Sequence, residues 1–223
     1  MQRFFDIVLS GVALIILLPV LLILIIVLRM TGEGEVFFSQ TRVGKDGRPF
    51  KLLKFATMLR DSPNMGDGTV TVKDDPRVLP IGKFLRETKI NELPQLINIF
   101  KGDMSVIGPR PQTERCFNAF PLKSKNKITR VRPGLSGVGS IFFRNEEKLL
   151  DTDDSSRIYD TVIMPYKGDI EEWFVDNQSF TLYVWLIIGT CLVMFGVNTS
   201  IIFRHFHNFP PVSEELKKRI AEL

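Results

Sequence analysis

Residues 86–111 read Arg86-Glu-Thr-Lys-Ile-Asn91-Glu92-Leu93-Pro94-Gln95-Leu-Ile-Asn-Ile-Phe100-Lys-Gly102-Asp103-Met104-Ser105-Val-Ile-Gly108-Pro109-Arg110-Pro111, a short apolar helical pattern enclosed by charged and turn-forming residues. The run from Asn91 to Phe100 predicts a helix, with Asn91 as its N-cap, Glu92 in its first turn and Pro94 where a missing N–H is tolerated. Both side chains then stand at the positive end of a helix dipole. A carboxylate stays ionised there, and an incoming phosphate or phosphate-bound Mg2+ meets backbone N–H groups. Asn caps a helix about as well as Asp, so Asn91 also reads as a cap and no more. Pro109 and Pro111 restrict the backbone on either side of Arg110, which keeps the guanidinium aimed or simply ends an element.

Working outward, Arg77 to Thr88 predicts a second helix. Upstream, Val36–Ser39 and Pro49–Phe55 are strand-like and flank Gly44-Lys45-Asp46-Gly47, whose Asp-Gly chemistry predicts a hairpin. Gly66-Asp67-Gly68 punctuates a polar loop before Thr69–Lys73, an alternating short strand. Downstream, the Gly-rich segment Arg132–Ser140 reads as irregular. The fold class is α/β, with too few parallel βαβ units for a doubly wound sheet.

Both flanks of this region are apolar. Ile7–Leu28 contains 22 residues without a charge, roughly 33 Å as a helix, enough to span a bilayer core of about 30 Å. Pro19 predicts a kink, and Arg3 and Arg29 pull both ends to the same face under the positive-inside tendency. A re-entrant helix-break-helix satisfies both features and is preferred to a kinked spanning helix; the run is too long for a signal peptide, and no small-residue cleavage site closes it. The second stretch, Phe180–Val197, has 18 uncharged residues. Crossing there would export the tail with Arg204, Lys217, Lys218 and Arg219, so it reads as an interfacial or partly embedded amphipathic helix. Trp173, Tyr183 and Trp185 suit headgroup level or, alternatively, a protein core. The tail from Ser213 has a Ser cap signal and predicts a short solvent-facing helix. The expected organisation is a membrane hairpin over 1–30, a small membrane-associated catalytic domain over 31–178, and an interfacial helix with its tail over 179–223.

Composition narrows the chemistry. The chain has 223 residues, a formal charge of +4 and a pI near 9.1, which suits an anionic membrane surface and a phosphorylated substrate. Cys116 and Cys191 lack metal-ligand spacing. His205 and His207 lie near the C-terminus, so chemistry in the middle of the chain rests on carboxylates, Lys and Arg, and Ser-His-Asp and Cys-His mechanisms are excluded. No aromatic-basic interleaving points to nucleic acid.

Ordered motifs resemble one family. Phe37-Phe38-Ser39-Gln40-Thr41-Arg42-Val43-Gly44, Lys54-Phe55-Ala56-Thr57-Met58, Asp75-Pro76-Arg77, Arg86, Asn91-Glu92-Leu93-Pro94-Gln95, Gly102-Asp103-Met104-Ser105, Gly108-Pro109-Arg110-Pro111 and Arg132-Pro133-Gly134 are similar, in order, to the bacterial sugar transferases, monotopic polyprenol-phosphate phosphoglycosyltransferases. Arg3 and Asp6 extend the match, which fades over 112–128 and 145–168 and is absent after 200. The resemblance implies transfer of a phosphosugar from a UDP-sugar to polyprenol (undecaprenyl) phosphate with release of UMP. It further implies a Mg2+ cofactor, an N-terminal membrane hairpin, and a place at the bacterial inner membrane with the catalytic domain on the cytoplasmic face; the oligomeric state stays open, with a homodimer as one option. Such a transfer needs cations and fixed donors, and Lys54, Arg86, Arg110 and Arg132, with Asp103, are the candidates for holding phosphate and nucleotide. Glu92 and Asn91 are the candidate catalytic and metal-binding residues.

Two positions depart from the family. Ala56 replaces an Arg, and Asn91 replaces the Asp that attacks phosphorus in the family; an amide lacks the anionic oxygen required. Three readings follow: a natural variant using Glu92 or direct attack by polyprenol phosphate, an Asp-to-Asn trap, or a catalytically silent binding or scaffold protein. The retained charges and the second departure at Ala56 favour the natural variant.

Overall fold

The computed structural model describes residues 1–65, 75–144, 146–149, 155–204 and 206–221. Strands β1 (Phe37–Val43) and β2 (Pro49–Phe55) form the expected antiparallel hairpin, with Phe37 opposite Phe55 and Val43 opposite Pro49. The turn between them holds Asp46 at φ 57° and Gly47 at φ 72°, left-handed conformations that Asp and Gly tolerate. The segment containing Gly66-Asp67-Gly68 and the strand expected at Thr69–Lys73 lies outside the described residues. Just beyond it, the Asp75 carboxylate takes Arg77 Nε and Nη2 at 2.8 and 2.6 Å while Arg77 Nη1 donates to Ser62 O and Met65 O. This buried pair ties the two ends of that segment together.

The N-terminal segment is one helix, α1 (Gln2–Met30), long and apolar enough to cross a membrane. The break expected at Pro19 is absent, and the helix runs through the proline. The physical reason is docking on both sides of the proline: Ala13, Leu14 and Leu17 pack on Leu52, Leu96, Ile99 and Met104, while Leu21, Leu24 and Ile25 pack around Leu28, Phe55 and Leu85. Burial of a side chain such as Leu28, which is 2% exposed, contributes about 1.5–3 kcal/mol, comparable with the cost of about 3 kcal/mol for an internal proline. Asp6 is buried although it lies in this apolar helix. Its carboxylate accepts from Ser105 Oγ, Val106 N and Tyr183 Oη, each at 2.9 Å.

Helix α2 (Pro80–Glu87) begins at the proline, three residues later than the pattern suggested, because proline is preorganised for the first helical position. Lys89, at φ 60°, then turns the chain into a 3-10 turn, Ile90–Glu92, followed by α3 (Gln95–Lys101). Asn91 is therefore inside the 3-10 turn. It caps no helix, and the N-cap of α3 is Pro94. Gly102, at φ 101°, ends α3, and β3 (Ser105–Ile107) follows.

After α4 (Glu114–Asn118) and α5 (Leu122–Ile128), the segment read as irregular holds β4 (Gly134–Ser136), parallel to β3, and α6 (Val138–Phe142). Glycine makes this possible: a Cβ on Gly134 would lie 2.1 Å from Gly108 N, and one on Gly137 would lie 2.2 Å from Gly108 O. The Gly-Pro-Arg-Pro and Arg-Pro-Gly motifs are thus two backbones in direct contact. Short α7 (Glu146–Leu149) and α8 (Ser155–Ile158) lead through a π turn, Tyr159–Ile163, into α9 (Met164–Asp176).

Helix α10 (Phe180–Met194) buries Tyr183, Leu186 and Val193 in the same core as Ile163, Met164 and Ile170. Its outer face, with Phe180, Val184, Trp185, Ile188 and Leu192, is apolar too, so the helix lacks the polar face that an amphipathic helix requires. Trp173 and Tyr183 take the core alternative: the Trp173 indole donates to His207 O and stacks on Phe206. Trp185 remains partly exposed. Helices α11 (Thr199–Phe203) and α12 (Glu214–Ala221) close the chain; Ser213 Oγ accepts from Leu216 N as the cap signal predicted, and Leu216 is fully buried.

Candidate active site

Three of the residues read from the sequence converge. Lys54 near the end of β2, Glu92 in the 3-10 turn and Arg110 after β3 meet where Glu92 Oε1 accepts from Lys54 Nζ at 3.0 Å and Arg110 Nη2 at 3.1 Å. The Glu92 side chain is 12% exposed and that of Arg110 is 40% exposed, so the cluster opens to solvent on the arginine side. Arg42, missed as a site residue although it lies in the quoted Phe37–Gly44 string, donates to Pro111 O and Gln40 Oε1 and stands beside Arg110.

The electrostatics are those of a cation surplus. Burial pushes Lys54 down to about 8, and Arg110 and Arg42 add to this against the pull of Glu92. Burial brings Arg42 to about 10, with repulsion from Arg110 adding to it. Burial alone would raise Glu92, but Lys54 and Arg110 overcome it and hold the carboxyl well below the usual range. Glu92 is therefore ionised at neutral pH.

A second carboxyl, Glu171 on α9, carried no distinguishing signal in the sequence, since paired acids on a helix usually face solvent. It is buried, and its Oε1 accepts the Arg110 backbone N–H at 3.4 Å. Burial raises it to about 8, only partly opposed by the backbone hydrogen bond from Arg110 and by Lys167. Asn91 Oδ1, Arg42 Nε and Glu171 Oε2 are all buried without a hydrogen-bond partner. Such atoms are costly unless a ligand or water satisfies them.

Among the described residues, no hydrogen bond or ion pair joins the other candidates to this cluster. Arg86 Nη1 contacts Met58 Sδ at 3.9 Å. Asp103 accepts from Asn98 Nδ2 at 3.1 Å, and Arg132 Nε donates to Gly102 O at 2.8 Å. Asp103 and Arg132 thus secure the C-terminal end of α3, whose seven residues rise roughly 10 Å, whereas Glu92 precedes its N-terminal end. Among the described residues no three His, Cys, Asp or Glu side chains form a metal cluster.

A model of the bacterial sugar transferases matches residues 1–197. The chain belongs to the bacterial sugar transferase family. This sugar transferase is an enzyme of the phosphoglycosyltransferase class. It is 35% identical over 159 residues to the exopolysaccharide production protein ExoY of Rhizobium meliloti, covering 65% of the chain and 70% of that protein. It is 33% identical over 205 residues to the uncharacterized sugar transferase EpsL of Bacillus subtilis, covering 90% and 91%. The UDP-glucose:undecaprenyl-phosphate glucose-1-phosphate transferase of Escherichia coli is 34% identical over 182 residues, 78% of the sugar transferase but only 37% of that longer relative.

Proposed function

We propose that the sugar transferase moves a phosphosugar from a UDP-sugar to undecaprenyl phosphate, giving polyprenyl-diphosphosugar and UMP at the cytoplasmic face of the inner membrane. The observation that carries this reading is the site around Glu92: one ionised carboxylate, three cationic side chains and three buried polar atoms without partners. A diphosphate supplies the missing negative charge and an acceptor for Arg42 Nε. Lys54, Arg42 and Arg110 hold its oxygens and take up charge that develops as the phosphoanhydride breaks. Glu92 presents the ionised carboxylate oxygen next to the amide at position 91 and attacks the sugar-bearing phosphorus: the new O–P bond forms as the phosphoanhydride breaks and UMP leaves, and a phosphate oxygen of undecaprenyl phosphate then attacks the same phosphorus and releases the carboxylate.

Mg2+ suits this donor set as a substrate-borne ion. Asn91 Oδ1 has no partner, and Glu92 has a second carboxylate oxygen beyond the one that Lys54 and Arg110 share; phosphates and water would complete the coordination. When bound, the ion neutralises diphosphate charge.

The membrane placement draws on α1. Arg3 donates to Ile99 O and Phe100 O at one end, and Leu28 packs with Phe55 and Leu85 at the other. A helix with both ends held by one domain stays with that domain on one face of the membrane, while its exposed apolar side enters the lipid.

The test is UMP release from a panel of UDP-sugars with undecaprenyl phosphate and Mg2+, comparing the chain with Glu92→Gln and Asn91→Asp. Turnover that is lost in Glu92→Gln supports the reading. Release that is unchanged in Glu92→Gln overturns the role of Glu92.

A further inference from the structure

Arg132, expected at the catalytic centre, lies instead on a separate cavity of about 200 Å3 at the start of α1, lined by Arg3, Asp6, Lys45, Arg130, Arg132 and Gln178. Four cations from three segments of the chain converge there: Arg3 from the first turn of α1, Lys45 from the β1–β2 turn, and Arg130 and Arg132 from the stretch before β4. The only carboxylate among the lining residues, Asp6, already accepts from Ser105, Val106 and Tyr183. Arg3 spends its Nη atoms on the neutral carbonyls of Ile99 and Phe100, and Arg132 spends only Nε, on Gly102 O. Among the described residues no acidic side chain forms an ion pair with any of the four. Like charges gathered around a polar cavity repel one another unless an anion sits between them.

The position of the cavity indicates what carries that anion. Apolar α1 begins at its edge, with Phe4, Val8 and Val12 exposed. Apolar α10 begins beside it, where Phe5 and Phe180 pack at 4.9 Å between ring centroids. A group held by these cations therefore sits at the level where lipid-compatible surface starts, the depth of lipid phosphates.

We propose that this cavity is a phosphate site for a membrane lipid, separate from the Glu92 centre, with Lys45 and Arg130 as its free cations and Arg132 presenting its remaining guanidinium N–H groups. The phosphate belongs either to a bilayer phospholipid or to a polyprenyl phosphate, and the two share the chemistry recognised. Binding does not depend on turnover, so this site stands or falls independently of the role of Glu92.

The experiment is native mass spectrometry of the full chain in detergent with added phosphatidylglycerol, comparing the unmodified chain, the double variant Lys45→Gln/Arg130→Gln, its charge-preserving counterpart Lys45→Arg/Arg130→Lys, and Lys217→Gln as a remote control. Lys45 and Arg130 are exposed, so the fold tolerates the changes, and equal melting temperatures verify this. The expected result is one retained lipid, reduced roughly tenfold in the double Gln variant, kept in the charge-preserving variant and unaffected by Lys217→Gln. Undecaprenyl phosphate added at equal amount identifies the source: displacement of phosphatidylglycerol assigns the site to the polyprenyl phosphate, and its failure assigns it to the phospholipid. Equal retention of diacylglycerol, displacement by inorganic phosphate at the same concentration, or unchanged retention in the double Gln variant overturns the proposal.

Discussion

Tyr183 Oη donates to Asp6 Oδ1 at 2.9 Å across 177 positions of sequence, joining the N-terminal portions of the two apolar helices. The carboxylate also holds Ser105 and Val106, so a single buried charge locks α1, α10 and β3 together. Asp6→Ala leaves three buried donors unpaired and is expected to cost about 3–5 kcal/mol, whereas Tyr183→Phe costs about 1 kcal/mol. A double-mutant cycle by thermal melting in detergent checks this, with a coupling energy near zero as the contrary outcome.

At the catalytic cluster, Glu92→Gln removes the ionised carboxylate and its two ion pairs. UMP release is expected to fall at least about 100-fold. Asn91→Asp places an anionic oxygen where the family has its nucleophile, and turnover equal to or above that of the unmodified chain is expected.

Lys54 binds phosphate only when protonated, and its pKa is pushed down to about 8. Affinity for the UDP-sugar is therefore full below pH 8 and lost as the pH rises through it. KM for the UDP-sugar should climb across pH 8–9 in the unmodified chain and stay flat in Lys54→Arg, because guanidinium remains charged. A flat profile in both chains removes Lys54 from the phosphate site.

Glu171 titrates near 8 in the folded chain and near 4.5 unfolded. The folded state thus binds the extra proton, and stability falls by about 1.4 kcal/mol per unit as pH rises from about 5 to 8. Glu171→Gln abolishes this slope, so its melting temperature gains on the unmodified chain steadily between pH 5 and pH 8. Parallel pH profiles of the two proteins would show that Glu171 does not ionise in this range.

Gly134→Ala drives a Cβ to 2.1 Å from Gly108 N, a backbone atom that has no rotamer by which to yield. A loss of about 3 kcal/mol or more is expected, at the upper end of overpacking costs. Because Gly134 N donates to Pro109 O, KM for the UDP-sugar should rise as well, through displacement of Arg110.

Local chemistry decided what the sequence alone could settle. Asp-Gly specified the β1–β2 turn, Ser213 announced the start of α12, and an uncharged run made α1 recognisable, since each depends on neighbouring residues only. The family was legible for the same reason, in short strings such as Gly-Pro-Arg-Pro. Lys54, Glu92 and Arg110 were legible as charges suited to phosphate.

Their meeting point was decided by tertiary structure, and so was the separation of Arg132 and Asp103 from them by the length of α3. Lys89 in a left-handed turn removed Asn91 from the capping position that its local pattern suggested. Docking on both sides of Pro19 kept α1 continuous, and burial turned Glu171 from an ordinary helix acid into a protonated group beside Arg110. Turn and cap signals act over a few residues and are written in order along the chain. Burial, ion pairing and the meeting of like charges depend on which distant segments share a surface, and only the folded backbone sets those distances.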